Sequence, residues 1–130
     1  MLNVINRLKK TRDLNLLMKH GTWIRGSFLA IKFVKLPDVE DFFPKKEDKT
    51  DFAKQLKIIF SVGLKISKLA VRRNGVKRKL REVVRLLIKD SKIKSGYYIM
   101  FTATKEILDK NYHEIEKEIN IILKKAQILC

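Results

Sequence analysis

Hydrophobic positions along this chain switch between helical and extended spacing, and the switches mark out seven elements. Leu14, Leu17 and Met18 share a face of a helix expected from about Thr11 to His20, with Thr11 as N-cap, Asp13 in the positive first turn and Gly21 ending it. From Trp23 to Lys35 β-branched and aromatic residues dominate, and the interruption at Gly26-Ser27 predicts two strands or one bulged strand. There Phe28, Ala30 and Lys32 alternate with Leu29, Ile31 and Phe33, so one face is nearly all apolar. Residues 37–51 carry two prolines, mixed charges and Phe42-Phe43, the composition of a surface loop and the least structured part of the chain. Lys57 to Leu64 is a compact apolar run that reads as a central strand, and Tyr97 to Ala103 reads as another. Asn111 offers an N-cap with Glu114 three residues on, ahead of a helical stripe of Ile115, Ile119, Ile122, Leu123, Ala126 and Leu129.

Between those strands lies a segment with helical period and strong charge. Val76, Leu80, Val83 and Leu87 make one apolar stripe, while Arg73, Lys77, Arg78, Arg81 and Arg85 gather on an arc well away from it. The order α-β-β-β-α-β-α predicts a single domain of the mixed α/β (α+β) class over residues 1–130, with a mixed sheet covered by helices.

Charge sharpens the reading of that helix. The chain carries +16, of which residues 65–94 hold +10, the first 64 residues +6 and residues 95–130 zero. A solvated helix face normally mixes signs, yet the only acids of the basic segment are Glu82 and Asp90. Like charges at Lys77/Arg81 and Arg81/Arg85 each cost about 0.2 to 0.5 kcal/mol of helix stability. Acceptance of that repulsion favours a polyanion-binding surface, and the planar fork of Arg suits phosphate oxygens and stacks on bases.

Composition bounds the remaining classes. With 45% hydrophobic and 34% charged residues, this is a globular domain with a basic surface rather than a disordered basic tail. The single Cys, Cys130, excludes an intramolecular disulfide and fits a reducing compartment. Met1 to Arg7 lack the apolar core of a secretory signal, and no stretch approaches a membrane span, so a cytoplasmic protein with no membrane partner is expected. Catalytic patterns are missing: His20 and His113 stand far apart, no zinc spacing occurs, and isolated glycines make neither a P-loop nor a dinucleotide fingerprint. The polypeptide alone reads as a binder rather than a hydrolase.

The run Ala70-Val71-Arg72-Arg73-Asn74-Gly75-Val76-Lys77-Arg78-Lys79-Leu80-Arg81-Glu82 resembles the signature A-V-x-R-N-R-x-K-R-x-x-R-E of the bacterial ribonuclease P protein subunit, meeting eight of nine fixed letters. Arg7-Leu8-Lys9-Lys10 with Asp13 and Lys19-His20-Gly21-Thr22 is similar to that family's opening, and Phe60-Ser61-Val62 through Lys65-Ile66-Ser67 to its strand before the signature. The resemblance runs over roughly residues 7–125.

The resemblance implies a ribosomal-protein-like fold with a mixed four-stranded sheet and an unusual left-handed β-α-β crossover. It also implies an accessory subunit of the endonuclease that removes the 5′ leader of precursor tRNA, the chemistry being done by a catalytic RNA with Mg²⁺ held mainly by that RNA. The expected partners are that RNA and precursor tRNA, the protein entering the holoenzyme as a monomer with no metal of its own. Carried onto this sequence, Arg73, Asn74, Lys77, Arg78 and Arg81 would meet the catalytic RNA, with Arg72, Arg85, Lys65 and Lys68 in support. Leu14 and Met18 would line a cleft for the single-stranded leader, with Phe28, Lys32 and Phe33 contributed by the sheet. Gly75 replaces the signature's second Arg, and Leu14 and Met18 replace residues usually aromatic in the family, shifting leader binding from stacking toward charge. The alternative is a ribosomal-protein-like RNA binder without a partner ribozyme.

Overall fold

The computed structural model describes residues 6–42 and 54–129. Helix α1 spans Thr11–His20, strands β1 and β2 span Thr22–Arg25 and Leu29–Lys35, and β3 spans Leu56–Ser61. Helix α2 covers Ala70–Lys89, β4 covers Tyr97–Ala103 and α3 covers Tyr112–Lys125, giving the expected α-β-β-β-α-β-α order. Short 3-10 segments follow β2 and β4.

The sheet order is β1-β2-β4-β3. The pairs β1/β2 and β2/β4 are antiparallel, while β3 and β4 run parallel with α2 as their crossover. Of the two readings open for Trp23 to Lys35, the hairpin is realised. Its turn is closed by Gly26 N–H donating to the Leu29 carbonyl at 2.7 Å. Glu118 of α3 braces it, one carboxylate oxygen accepting from the backbone N–H of Ser27 (2.9 Å) and Phe28 (3.1 Å). A Cβ on Gly26 would lie 2.8 Å from that carboxylate, so a side chain there would push Glu118 out of its present position.

Two layers cover the sheet unequally. Leu29, Ile31, Ile58, Ile99 and Phe101 face α2 and α3, where Val76, Leu80, Val83, Val84 and Leu87 meet Ile115, Ile119, Ile122 and Leu123 in the main core. The predicted α2 stripe is thus buried, as are Ile115, Ile119, Ile122 and Leu123 of the α3 stripe, whereas Ala126 and Leu129, expected to continue it, lie past the helix end at Lys125 and are half-buried. Among the described residues the second face carries one helix, α1, whose Leu17 packs with Val34, Tyr98, Leu8 of the N-terminal segment and Leu36 and Val39 of the 3-10 segment in a smaller cluster. Ten residues make a helix about 15 Å long, too short to roof four strands. Part of this face is left open.

Three boundaries differ from expectation for physical reasons. The N-cap of α1 is Lys10 rather than Thr11, without a side-chain cap. Asp13 is only 1% exposed and pairs with Arg12 (3.2 Å) and Lys57 (3.6 Å), so it ties α1 to β3 as well as serving the first turn. The strand expected over Lys57 to Leu64 ends at Ser61, because Ile66 N–H turns back to the Gly63 carbonyl. In the expected loop, Leu36–Phe42 forms 3-10 turns with Leu36 and Val39 buried. Residues 43–51 and Cys130 lie outside the described residues. The capping box at Asn111 and Glu114 forms as the sequence predicts, with both reciprocal hydrogen bonds present.

Candidate nucleic-acid interface

Helix α2 buries one stripe and offers the remainder of its circumference, and its cations divide into two groups. The side chains of Lys77, Arg78 and Arg81 make no hydrogen bond or ion pair within the chain among the described residues, and those of Arg72, Asn74 and Lys79 are likewise unengaged. Two arginines are tethered. Arg73 Nη1 donates to the Ser67 carbonyl at 2.8 Å and so pins the turn that leads into the helix, although a guanidinium with five N–H donors keeps others for a ligand. Arg85 grips Glu82 through Nε (3.1 Å) and Nη2 (2.7 Å). Those hydrogen bonds hold the Glu82 carboxyl below its usual range and raise Arg85. The single acid on the helix is therefore neutralised by Arg85, leaving the Lys77–Arg81 stretch uncompensated. Lys65 and Lys68 are exposed on the preceding turn.

The N-terminal segment brings further cations to this edge. Arg7 bridges Ile58, Leu8 N–H donates to the Ile58 carbonyl at 3.0 Å, and Asn6 donates to the Leu56 carbonyl at 2.9 Å, so an extended stretch covers the free edge of β3. With Leu8 buried, Arg7 and Lys9 flank it and line a hollow of about 250 Å³ together with Arg81. Sequence reasoning did not reach this pair as site residues. Their signal is the period-two placement of two cations about an apolar residue, which becomes legible only once the edge they cover is known.

A larger groove of about 400 Å³ opens on the α1 face of the sheet. Leu14 and Met18 form its helical wall, Ile59 and Met100 its floor, and Lys77 of α2 stands at its rim. Met18 is 46% exposed, so the groove is accessible along that wall. The structure thus brings together the two expected α1 residues and one expected α2 cation. It separates Phe28 and Phe33 from them. Phe33 packs on Tyr97 (ring centroids 6.2 Å) against the main core, and Phe28 is buried with the Lys110 ammonium 5.4 Å from its ring centroid. For Phe33 the reason is the alternation of β2, since Leu29, Ile31 and Phe33 form the all-apolar face that two helices cover; Phe28 precedes the strand, at the hairpin turn. Lys32 does lie on the groove side, where its ammonium donates to the Met18 carbonyl (2.7 Å) and sits 5.6 Å from the Trp23 ring centroid. It caps the end of α1, and Gly21 permits that approach, since a Cβ there would be 2.8 Å from Lys32 Cγ.

Among the described residues no group of three His, Cys, Asp or Glu side chains converges as a metal site, and no helix is long and apolar enough to cross a membrane. The surface is suited to holding an anionic polymer: the cations Lys77, Arg78 and Arg81 of α2, with Arg7 and Lys9 along the β3 edge, adjoin an open apolar groove.

Comparison with known proteins agrees. The family model for Ribonuclease P matches residues 2–127. The ribonuclease P protein component of Pseudanabaena sp. is 33% identical over 124 residues, covering 95% of this chain and 93% of the relative, and that of Clostridioides difficile is 33% identical over 121 residues, covering 93% and 91%. The fold matches the RNase P protein of Staphylococcus aureus with a TM-score of 0.70 at 22% identity, covering 99% of this chain and 95% of the other. That of Thermotoga maritima matches at 0.66 and 21%, covering 91% and 96%.

Proposed function

The chain belongs to the ribonuclease P protein family, and on that premise we propose that the polypeptide holds RNA in place while RNA carries out the cleavage. It is a protein component of ribonuclease P, the ribonucleoprotein that processes the 5′ end of tRNA. In the proposed division of labour, Lys77, Arg78 and Arg81, with Arg72 and Lys79 beside them, neutralise phosphates of the catalytic RNA. Arg73 holds the approach to α2 and offers its remaining donors, and Arg85 serves chiefly to remove the charge of Glu82. The groove between α1 and the sheet receives the single-stranded leader of precursor tRNA, bases against Leu14, Met18, Ile59 and Met100 and backbone toward Lys77. The protein enters the holoenzyme as a monomer in the cytoplasm.

The observation that carries this reading is the adjacency of unpaired α2 cations to an open apolar groove on a rigid sheet. Magnesium belongs to this chemistry, but the described residues supply no converging carboxylates to hold it. The reading therefore assigns metal to RNA and routes no step through a protein-bound ion. Cleavage by an RNA active site needs from the protein only position and charge: a fixed cationic surface lowers the repulsion between two polyanions and raises the local concentration of substrate.

Reconstitution tests it. Precursor tRNA is incubated with the protein alone, with the catalytic RNA alone at low Mg²⁺, and with both. Cleavage at the mature 5′ end only when both are present is the expected outcome. Cleavage by the polypeptide alone, or no effect of the protein on the RNA, would refute the proposal.

A further inference from the structure

The open sheet face extends well past the groove beside α1. Across all four strands one residue row reads Trp23, Lys32, Met100, Ile59, and the next reads Arg25, Ala30, Thr102, Ser61. Ile59 and Met100 floor the groove already described. At the other end of the same rows, Trp23, Arg25, Ala30 and Thr102 line a second hollow of about 230 Å³, with Phe28 of the hairpin turn at its side. The two hollows are successive parts of one surface.

Trp23 is 42% exposed, unusual for so large an apolar side chain, and it is held in position by the Lys32 ammonium 5.6 Å from its ring centroid. That ammonium is fixed in turn by the Met18 carbonyl. Arg25, two residues along the same strand face, is exposed, and its side chain has no hydrogen bond or ion pair among the described residues. A positioned indole beside an unengaged guanidinium presents a π-face to a base and a fork to its phosphate, and the surface is continuous with the groove. A four-stranded sheet face with exposed aromatics accommodates two or three stacked bases of single-stranded RNA in other architectures.

We propose that Trp23 and Arg25 form a second nucleotide subsite, in which Trp23 stacks a leader base beyond those held beside α1 and Arg25 binds its phosphate. This rests on the leader reading of the groove. It also supplies an aromatic platform to a chain whose α1 wall is aliphatic.

Trp23 is the only tryptophan of the chain, so its emission reports the subsite directly in the assembled holoenzyme. The holoenzyme is titrated with mature tRNA and with precursor tRNAs whose leaders grow one nucleotide at a time. Emission is expected to be quenched only once the leader is long enough to reach Trp23. Trp23→Ala is expected to lose about five- to 150-fold in affinity for those substrates, the range of one base stack, with binding of mature tRNA unchanged and Trp23→Phe largely retaining affinity. Absence of quenching in an active holoenzyme overturns the subsite and leaves the groove standing. So does an equal loss for mature tRNA, which marks Trp23 as a brace for Lys32 and α1. A wild-type holoenzyme indifferent to leader length brings down the groove reading and the subsite with it.

Discussion

Gly75 sits inside α2, where the family signature has Arg, and a Cβ built there meets no atom within 4 Å. Substituting it therefore changes the helix without disturbing packing. Glycine in a helix interior costs about 0.8 to 1.0 kcal/mol relative to Ala, so Gly75→Ala is expected to stabilise the protein by about 1 kcal/mol, or about 4 °C in Tm for a chain of this size. Gly75→Arg behaves differently. The new guanidinium faces Arg72 and Arg78 at three residues' distance and Lys79 at four, and three like-charge pairs cost roughly 0.6 to 1.5 kcal/mol in total. At low salt this cancels the propensity gain, and the stabilisation emerges only as salt screens the repulsion. Toward RNA the same substitution adds one phosphate contact, making the slope of log K against log salt steeper by about 0.7 to 0.9. Urea midpoints at unchanged m-value measure the stability effects, and filter binding across a salt series measures the slope. Destabilisation by Gly75→Ala would show that the helix is not free at this position, and an unchanged slope for Gly75→Arg would show that this side of α2 does not meet phosphate.

Three further outcomes follow from the geometry. Replacing Lys77, Arg78 and Arg81 together by Glu leaves the circular dichroism spectrum and, within about 0.5 kcal/mol, the stability unchanged, since these side chains lie off the buried stripe. Binding to the catalytic RNA weakens and its salt slope flattens by nearly one per residue, and a gel shift like that of the wild type would defeat the assignment. Glu118→Ala strips the acceptor from two backbone N–H groups of the hairpin turn, one of them buried, and is expected to cost about 1 to 3 kcal/mol by urea unfolding; an unmoved midpoint would show that the brace is dispensable. Met18→Phe places a ring on the accessible groove wall and is expected to raise affinity for leader-bearing tRNA about fivefold or more, with mature tRNA as the control that must not change.

Local patterns carried most of the architecture. The stripes of α2 and α3, the capping box at Asn111 and the ends of α1 and β4 depend on spacing within a few residues, and spacing is what a sequence displays. Contacts between distant segments were hidden. Asp13 suits a helix first turn, but nothing near it announces its pairing with Lys57. The cleft shows the same limit. Alternation in β2 placed Phe33 with Leu29 and Ile31 on an apolar face, yet which face would be roofed by two helices and which left half open is decided by the length and docking of α1. Phe33, assigned to the groove by the family resemblance, is found on the covered side, and Phe28 lies at the hairpin turn beside the hollow of Trp23 and Arg25, while Trp23, Met100 and Ile59 occupy the open face. Arg73 and Arg85 were legible as cations but not as tethered ones, because Ser67 and Glu82 become their partners only through side-chain geometry.

The salt dependence of association between the wild-type protein and the catalytic RNA tests most directly whether a fixed cationic surface does the holding. With about five phosphates neutralised, log K is expected to fall linearly with log salt at a slope of roughly −3 to −4.5. A nearly flat response would contradict the account, for it would mean that the lysines and arginines of α2 and the β3 edge are not where the RNA binds.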